Sequence, residues 1–222
     1  DYTLLSRRRF PHRSPFSLSL SARTSSDSIT GTWGFGLWNN PFGMSLGFGG
    51  NPLQLPALPN AVWFFGASDE NYLSFRDPRA SSSLRSAQRE TVANGFMAQS
   101  FRSPSFHPLL ILAGLALPFS RKVTRQLLGK VIEEDGVNLQ QHTLKSTRAV
   151  GLQSRSVDPT QWHGYRLEWS LKRVVWEVDN VEVFESPVSP NPPLGLVIWI
   201  DNQYAAFTPN GKIGFGVLEN PE

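Results

Sequence analysis

Asp201, Asn202, Gln203 and Tyr204 stand together directly after the apolar run Leu194 to Ile200. They offer a carboxylate, two amides and a phenol, the densest polar group to follow an apolar segment in this chain. A carboxylate set beside Trp199 and Tyr204 loses solvent, which raises its pKa and suits it to general acid or base work. Asp201 is therefore the first candidate for chemistry, with Tyr204 as its companion, and Asn202 and Gln203 are candidates for ligand contact. The plainer reading of the same four residues is a turn.

The second group is aromatic. Trp33 and Phe35 alternate with glycines in Gly31 to Trp38, and Trp63 and Phe65 fall in the apolar segment Ala61 to Ala67. On one concave face these four rings would form a platform for a ligand. Packing between two sheets competes with that reading, because aromatic side chains bury so much area. Trp38, Asn39 and Asn40 close the first of these strands, where a rim contact and turn formation are equally expected. His163 and His107 read as structural residues, and Glu168 and Glu177 as strand residues facing solvent. No arrangement of His, Asp and Glu has metal-ligand spacing, so neither a metal nor a cofactor is expected, while a structural calcium ion is left open.

The elements that would position these residues are mostly strands. Phe16, Leu18, Leu20 and Ala22 alternate with Ser17, Ser19, Ser21 and Arg23, the period-two pattern of a strand with one buried face. Ala61 to Ala67 is apolar on both faces and needs cover on both. Tyr72 to Arg76 reads as its partner strand, and Gly95 to Arg102 as a further strand. Trp162 to Ser170 pairs with Arg173 to Asp179, and Asp179-Asn180 makes a tight turn into Val181, Val183 and Phe184. Leu194 to Ile200 and Lys212 to Val217 complete the set. Between them, Pro108 to Phe119 is apolar but well short of the roughly 20 residues that span a bilayer. Ser120 to Asp135 follows with Val123, Leu127, Leu128, Val131 and Ile132 at helical spacing, Ser120 as N-cap and Arg121, Lys122, Arg125 and Lys130 on the polar side. Basic residues early and Glu133, Glu134 and Asp135 late oppose the helix dipole, so tertiary packing must hold this helix. Asn138 to Val157 reads as loop.

Trp162-His163-Gly164-Tyr165-Arg166-Leu167-Glu168-Trp169, followed by Val175-Trp176-Glu177-Val178-Asp179-Asn180 and Val183, resembles the concanavalin A-like superfamily, particularly glycoside hydrolase family sixteen and its laminin G-like relatives. In that family a strand W-H-x-Y-x-x-x-W leads into a hairpin x-x-V-D-G, and Asn180 replaces the glycine here. The resemblance implies a jelly roll of two antiparallel sheets, and it leaves Pro104 to Asp158 uncovered. Hydrolases of the family carry nucleophile and acid/base as alternating carboxylates on one strand, since two carboxyl groups must flank one glycosidic bond. The comparable strand is Pro59 to Gly66, and Pro59, Ala61 and Trp63 stand where acids are expected. A retaining glycosidase of that type is therefore not expected, and whether the chain is an enzyme at all is left open.

The composition of the 222 residues agrees with such a fold: 40% hydrophobic, 18% charged, seven Trp and 15 Phe beside 18 Gly and 17 Pro, which suits aromatic strands joined by many turns. The absence of cysteine excludes a disulfide frame, thiol catalysis and Cys-ligated zinc and leaves the redox compartment open. The first residue is Asp1, and no targeting segment or compartment is read from it. The net charge of +3 owes much to Arg7, Arg8, Arg9 and Arg13, a solvated segment rather than a stripe interleaved with aromatics, so no nucleic-acid partner is expected.

The expectation is thus an all-β chain, one concanavalin A-like jelly-roll domain over 1–222 with a helical insertion at about 104–136. Its partner would be an apolar or amphipathic small molecule, held in an aromatic-lined concave cleft under a hydrophobic lid, with its rearrangement or cyclisation there left open. A non-catalytic glycan-binding module is the alternative, and a structural domain whose cleft holds its own side chains is a third. The segment 106–134 can serve as the lid, a membrane-surface contact or an oligomer contact.

Overall fold

The computed structural model describes residues 6–41, 57–75, 93–105, 107–116, 118–140 and 156–219. Eleven strands and two helices are described: β1 (Phe16–Ala22), β2 (Thr32–Trp38), β3 (Ala61–Ala67), β4 (Gly95–Arg102), α1 (Leu109–Ala116), α2 (Arg121–Val131), β5 (Glu133–Asn138), β6 (His163–Trp169), β7 (Val174–Val178), β8 (Val181–Ser186), β9 (Gly195–Asp201), β10 (Gln203–Phe207) and β11 (Ile213–Val217). A five-stranded sheet in the order β5-β4-β3-β2-β9 lies against a four-stranded sheet in the order β1-β6-β7-β8, and β10 and β11 form a separate ribbon. Every strand pair is antiparallel. The chain is an all-β sandwich.

Alternation decides which side chains meet between the sheets. Phe35, Leu37, Val62, Phe64, Phe96 and Ala98 of the larger sheet pack against Tyr165, Leu167, Trp169, Val174, Trp176 and Val178 of the smaller. The buried indoles find acceptors, Trp176 Nε1 donating to the Trp63 carbonyl at 3.1 Å and Trp169 Nε1 to Ser189 Oγ at 3.1 Å. Burial, helped by the charges of Asp179 and Asp158, holds the Tyr165 phenol well above its ordinary pKa, so it stays neutral among Phe35, Phe64 and Phe96.

The larger sheet carries a second apolar layer on its other face. Ala61, Trp63, Phe65, Ala67, Met97, Phe101 and Ile132 are buried there beneath Leu58, Leu73, Phe75 and Leu128. This explains why all seven residues of β3 are buried and why its sequence is apolar on both faces. At the far edge β9 overhangs: Ile198 and Ile200 lie opposite Phe35 and Trp33 and so face the inner side, yet remain about 70% exposed. His12 and Leu194 exchange backbone hydrogen bonds of 3.0 Å at that corner, tying the approach to β1 to the approach to β9.

Several expectations are corrected. The helix foreseen to Asp135 ends at Val131, because Glu133 to Asn138 pair with the open edge of β4 instead. The late acidic residues are therefore strand residues, and only Arg121 and Lys122 still oppose the dipole. Ser120 does cap α2, accepting a hydrogen bond from Val123 N at 3.3 Å. Arg125, foreseen on the polar side, is buried. Tyr72 is not part of a partner strand to β3, whose neighbours are β2 and β4; it makes a single parallel bridge to Ala206. The other end of that expected strand, Arg76, lies outside the described residues, as does most of the loop foreseen over 138–157.

Candidate functional site

Glycine spacing in β2 shapes the outer face of the larger sheet. Gly34 lies opposite Phe65 and Gly36 opposite Trp63, so β2 presents no side chain between Thr32 and Trp38 on that face. The indole of Trp199, from the neighbouring β9, fills the gap. A Cβ on Gly34 would stand 2.7 Å from its Cη2 atom. Trp199 thereby reaches Trp63 and Phe65, with ring centroids 5.7 and 5.3 Å away, and its plane lies 3° from that of Trp38 at 6.4 Å. Trp63 also meets Phe65 at 5.3 Å and Phe101 at 5.9 Å. Trp63 and Phe65 are buried, whereas Trp38 and Trp199 are half-buried and form the accessible side of the cluster.

The expected grouping of four rings is half right. Trp63 and Phe65 occupy the outer face, but Trp33 and Phe35 point into the space between the sheets, where Trp33 stacks on Phe96 at 4.9 Å and Phe35 tilts against Phe64 at 5.4 Å. The reason is register. Trp33 pairs with Gly66 and Phe35 with Phe64, so odd positions of β2 share a face with even positions of β3. The true companions of Trp63 and Phe65 are Trp38 and Trp199. Trp199 could have been found from the sequence, since Val197, Trp199 and Asp201 share one face of a strand.

The polar groups of this face are paired with one another. Trp63 Nε1 donates to Gln99 Oε1 at 3.3 Å, and Trp199 Nε1 donates to Thr32 Oγ1 at 3.0 Å. Thr32 Oγ1 in turn donates to Asp201 Oδ1 at 2.9 Å, which also accepts from Gln203 N at 3.1 Å. Asp201 is thus not the isolated carboxylate foreseen; it anchors Thr32 and the turn into β10. Asn202 belongs to that turn, Nδ2 donating to the Leu218 carbonyl at 2.8 Å. Gln203 and Tyr204 open β10, and Tyr204 lies with its ring over Gly216, where a Cβ would stand 2.9 Å from Cε1.

At the other end of β2 Asn39 is committed to structure. Its side chain donates to the Leu58 carbonyl at 2.9 Å and accepts from Asn60 N at 3.0 Å. Asn40 adopts a φ of 48°, a left-handed conformation that Asn tolerates, and its carbonyl accepts from Arg7 Nη2 at 2.8 Å. Arg7, foreseen as solvated, is therefore a clamp on this turn.

The helical insertion covers the same face. Leu128 of α2 packs on the second apolar layer, and Gly129 brings the helix against the Phe75 carbonyl, to which a Cβ would come within 2.7 Å. Buried Arg125 donates to the carbonyls of Ser74 and Phe207, each at 2.8 Å, and lies over the Tyr72 ring. Glu134 accepts from Ser74 Oγ and, at 2.7 Å, from Phe75 N. This polar frame was missed in the sequence, where Arg125 looked like any surface cation.

What the face can do chemically follows from where its acids lie. Among the described strand residues, Asp201 and Glu134 are the carboxylates of the outer face, and they sit on the two edge strands. Four interstrand steps put roughly 19 Å between those strands, and in register Glu134 lies level with Gly195, six residues along β9 from Asp201, so the two acids stand well beyond the about 5–9.5 Å of a pair flanking a glycosidic bond. No group of three or more His, Cys, Asp or Glu among the described residues is arranged to hold a metal ion. His163 bridges Asp179 Oδ2 at 2.7 Å and the Asp158 carbonyl at 3.0 Å, while Asp179 and Asn180 take φ values of 51° and 63°. The residues of the family-like hairpin are thus accounted for by its turn. No protein-family model matches the chain, and comparison with curated proteins finds no match.

Proposed function

We propose that the chain binds an apolar or amphipathic small molecule at the aromatic outer face of its larger sheet, beside the cover that α2 supplies, on a jelly roll of the concanavalin A-like kind that does not cleave sugars. The observation that carries this reading is the internal pairing of the face. Gln99, Thr32, Asp201, Asn39 and the indole N–H groups of Trp63 and Trp199 already have partners, so what this face offers a ligand is the ring surface of Trp38 and Trp199. Recognition then rests on apolar contact and shape rather than on many hydrogen bonds. Rearrangement or cyclisation asks for shape and one proton donor rather than a carboxylate pair, and Asp201 is the acid nearest these rings in sequence and register. The antiparallel five-on-four sandwich and the His163-to-Asn180 hairpin support the superfamily reading.

The test is native mass spectrometry of the purified protein with organic extraction of what it carries, followed by titration of the extracted molecule against tryptophan fluorescence. A bound apolar molecule whose affinity falls at least tenfold in Trp199→Ala and Trp38→Ala supports the reading. Binding unchanged in both variants overturns it. If the molecule is turned over, Asp201→Asn with full retained turnover removes Asp201 as acid or base.

One observation favours a glycan instead. Two half-buried indoles within 3° of parallel present aromatic faces of the sort on which a sugar ring stacks. A glycan array with the wild type and Trp38→Ala separates the two readings, since a glycan hit lost in the variant replaces the apolar ligand.

A further inference from the structure

The tip of the helical insertion carries the largest exposed apolar side chains of the insertion. α1 is eight residues without one polar side chain. Among its residues of described burial only Ala113 is buried, and the Ala113 carbonyl accepts from Thr124 Oγ1 at 3.1 Å, which hangs α1 on α2. Ile111, Leu112 and Leu115 are each more than half exposed, and Phe119, at the elbow between the helices, is 90% exposed. The ribbon extends this surface. Pro118, Arg121, Ile213 and Phe215 line one depression, Phe215 is itself 56% exposed, and the turn before β11 abuts α2, where a Cβ on Gly211 would stand 2.7 Å from Lys122 N.

Charge says what covers this patch. Arg121, Lys122 and Lys212 are exposed at its border. The sequence holds no Asp or Glu between Glu90 and Glu133, nor from Lys212 to Leu218. An apolar surface whose charged neighbours on the described residues of the insertion and of β11 are cations complements a layer that is apolar inside and anionic at its surface. Among the described residues no helix is long and apolar enough to cross a membrane, and α1 extends only about 12 Å. Such an element lies within the interface and does not span it. We propose that the α1–α2 elbow, with Phe215, is a docking surface for an anionic lipid bilayer, Phe119 and Leu115 entering the acyl boundary while Arg121, Lys122 and Lys212 meet lipid phosphates. Its residues are not those of the Trp38–Trp199 site, and it does not depend on what binds there.

The test is co-sedimentation of the full chain with phosphatidylcholine vesicles, with and without phosphatidylglycerol. Sedimentation with the anionic vesicles, weakened by added salt and much reduced on phosphatidylcholine alone, is expected. Phe119→Asp should lower partitioning at least about tenfold, from the lost burial of one large apolar side chain. Arg121→Gln and Lys122→Gln should each lower it about fivefold. Because these side chains are exposed, the variants should melt with the wild type, and Leu115→Asp provides a second apolar variant. Equal sedimentation with neutral vesicles, or none with either, overturns the proposal. So does a concentration-dependent dimer in analytical ultracentrifugation that Phe119→Asp disperses, since a second copy would then be what covers the patch.

Discussion

Trp199 occupies the space that Gly34 leaves on the neighbouring strand. A Cβ on Gly34 would lie 2.4 Å from the Phe64 carbonyl and 2.7 Å from Trp199 Cη2. The glycine therefore does two things at once: it permits the close backbone approach of β3, and it lets an indole cross β2 to reach Trp63 and Phe65. Gly34→Ala should cost about 1–3 kcal/mol, the usual penalty for overpacking a tight site. A lower melting temperature together with a changed near-ultraviolet circular dichroism band, which reports the tryptophan cluster, is the expected outcome. An unchanged band would mean that Trp199 does not lie across this glycine.

The buried Trp63–Gln99 hydrogen bond joins two residues of the outer face that sit directly opposite on β3 and β4. Gln99→Leu removes the acceptor and leaves an indole N–H buried, at about 1–3 kcal/mol. Trp63→Phe removes the donor and leaves the amide of Gln99 unmatched. Replacing both should cost less than the sum of the two, because the second change no longer strands a partner. Urea denaturation of the four proteins measures the coupling, and strict additivity would show that the bond contributes nothing.

The two pairs of aromatic residues show how far the sequence could be read. Alternation and apolar runs together located β1 to β4, β6 to β9 and β11 to within a residue or two, and the apolar character of Ala61 to Ala67 correctly required cover on both faces. It did not supply the register between β2 and β3, and register decides which rings are neighbours. Trp33 and Phe35 were therefore grouped with Trp63 and Phe65 although the strand pairing sends them to opposite faces. The helix end was misread for another reason. Val131 and Ile132 continue the helical spacing of α2, but the free edge of β4 offers Glu133 to Asn138 backbone partners, and pairing overrides local pattern. Asp201 to Tyr204 reads as a turn because the alternation breaks at Asn202, the single residue between β9 and β10.

Arg125 holds the insertion to the outer face through two backbone carbonyls, those of Ser74 and Phe207. Arg125→Met leaves both acceptors buried without that donor, which should cost about 2 kcal/mol or more. Arg125→Lys should recover only part, since a single ammonium does not reproduce the fork of a guanidinium. The loss should be local, with Leu128 lifted from Trp63 and Phe65. Binding of a hydrophobic dye should rise in the methionine variant before global unfolding begins. Unfolding of the whole chain with no such intermediate would show that the insertion and the sandwich form one cooperative unit.

His12 sits at the corner where the approaches to β1 and β9 are bridged, with its ring 4.4 Å from that of Phe16. Its Nε2 is buried without a hydrogen-bond partner among the described residues, and burial lowers its pKa below the ordinary histidine value near 6.5. The sign follows from proton counting. Between the folded and unfolded values the unfolded chain holds more protons, so stability rises with pH across that window. The contribution is fully present above about pH 6.5 and is lost as pH falls through the lower folded value. His12→Phe keeps a ring against Phe16 and removes the titration. Denaturation midpoints from pH 8 to pH 5 should fall more steeply for the wild type than for this variant. Parallel profiles would place the protonated imidazole in water and the corner in a different packing.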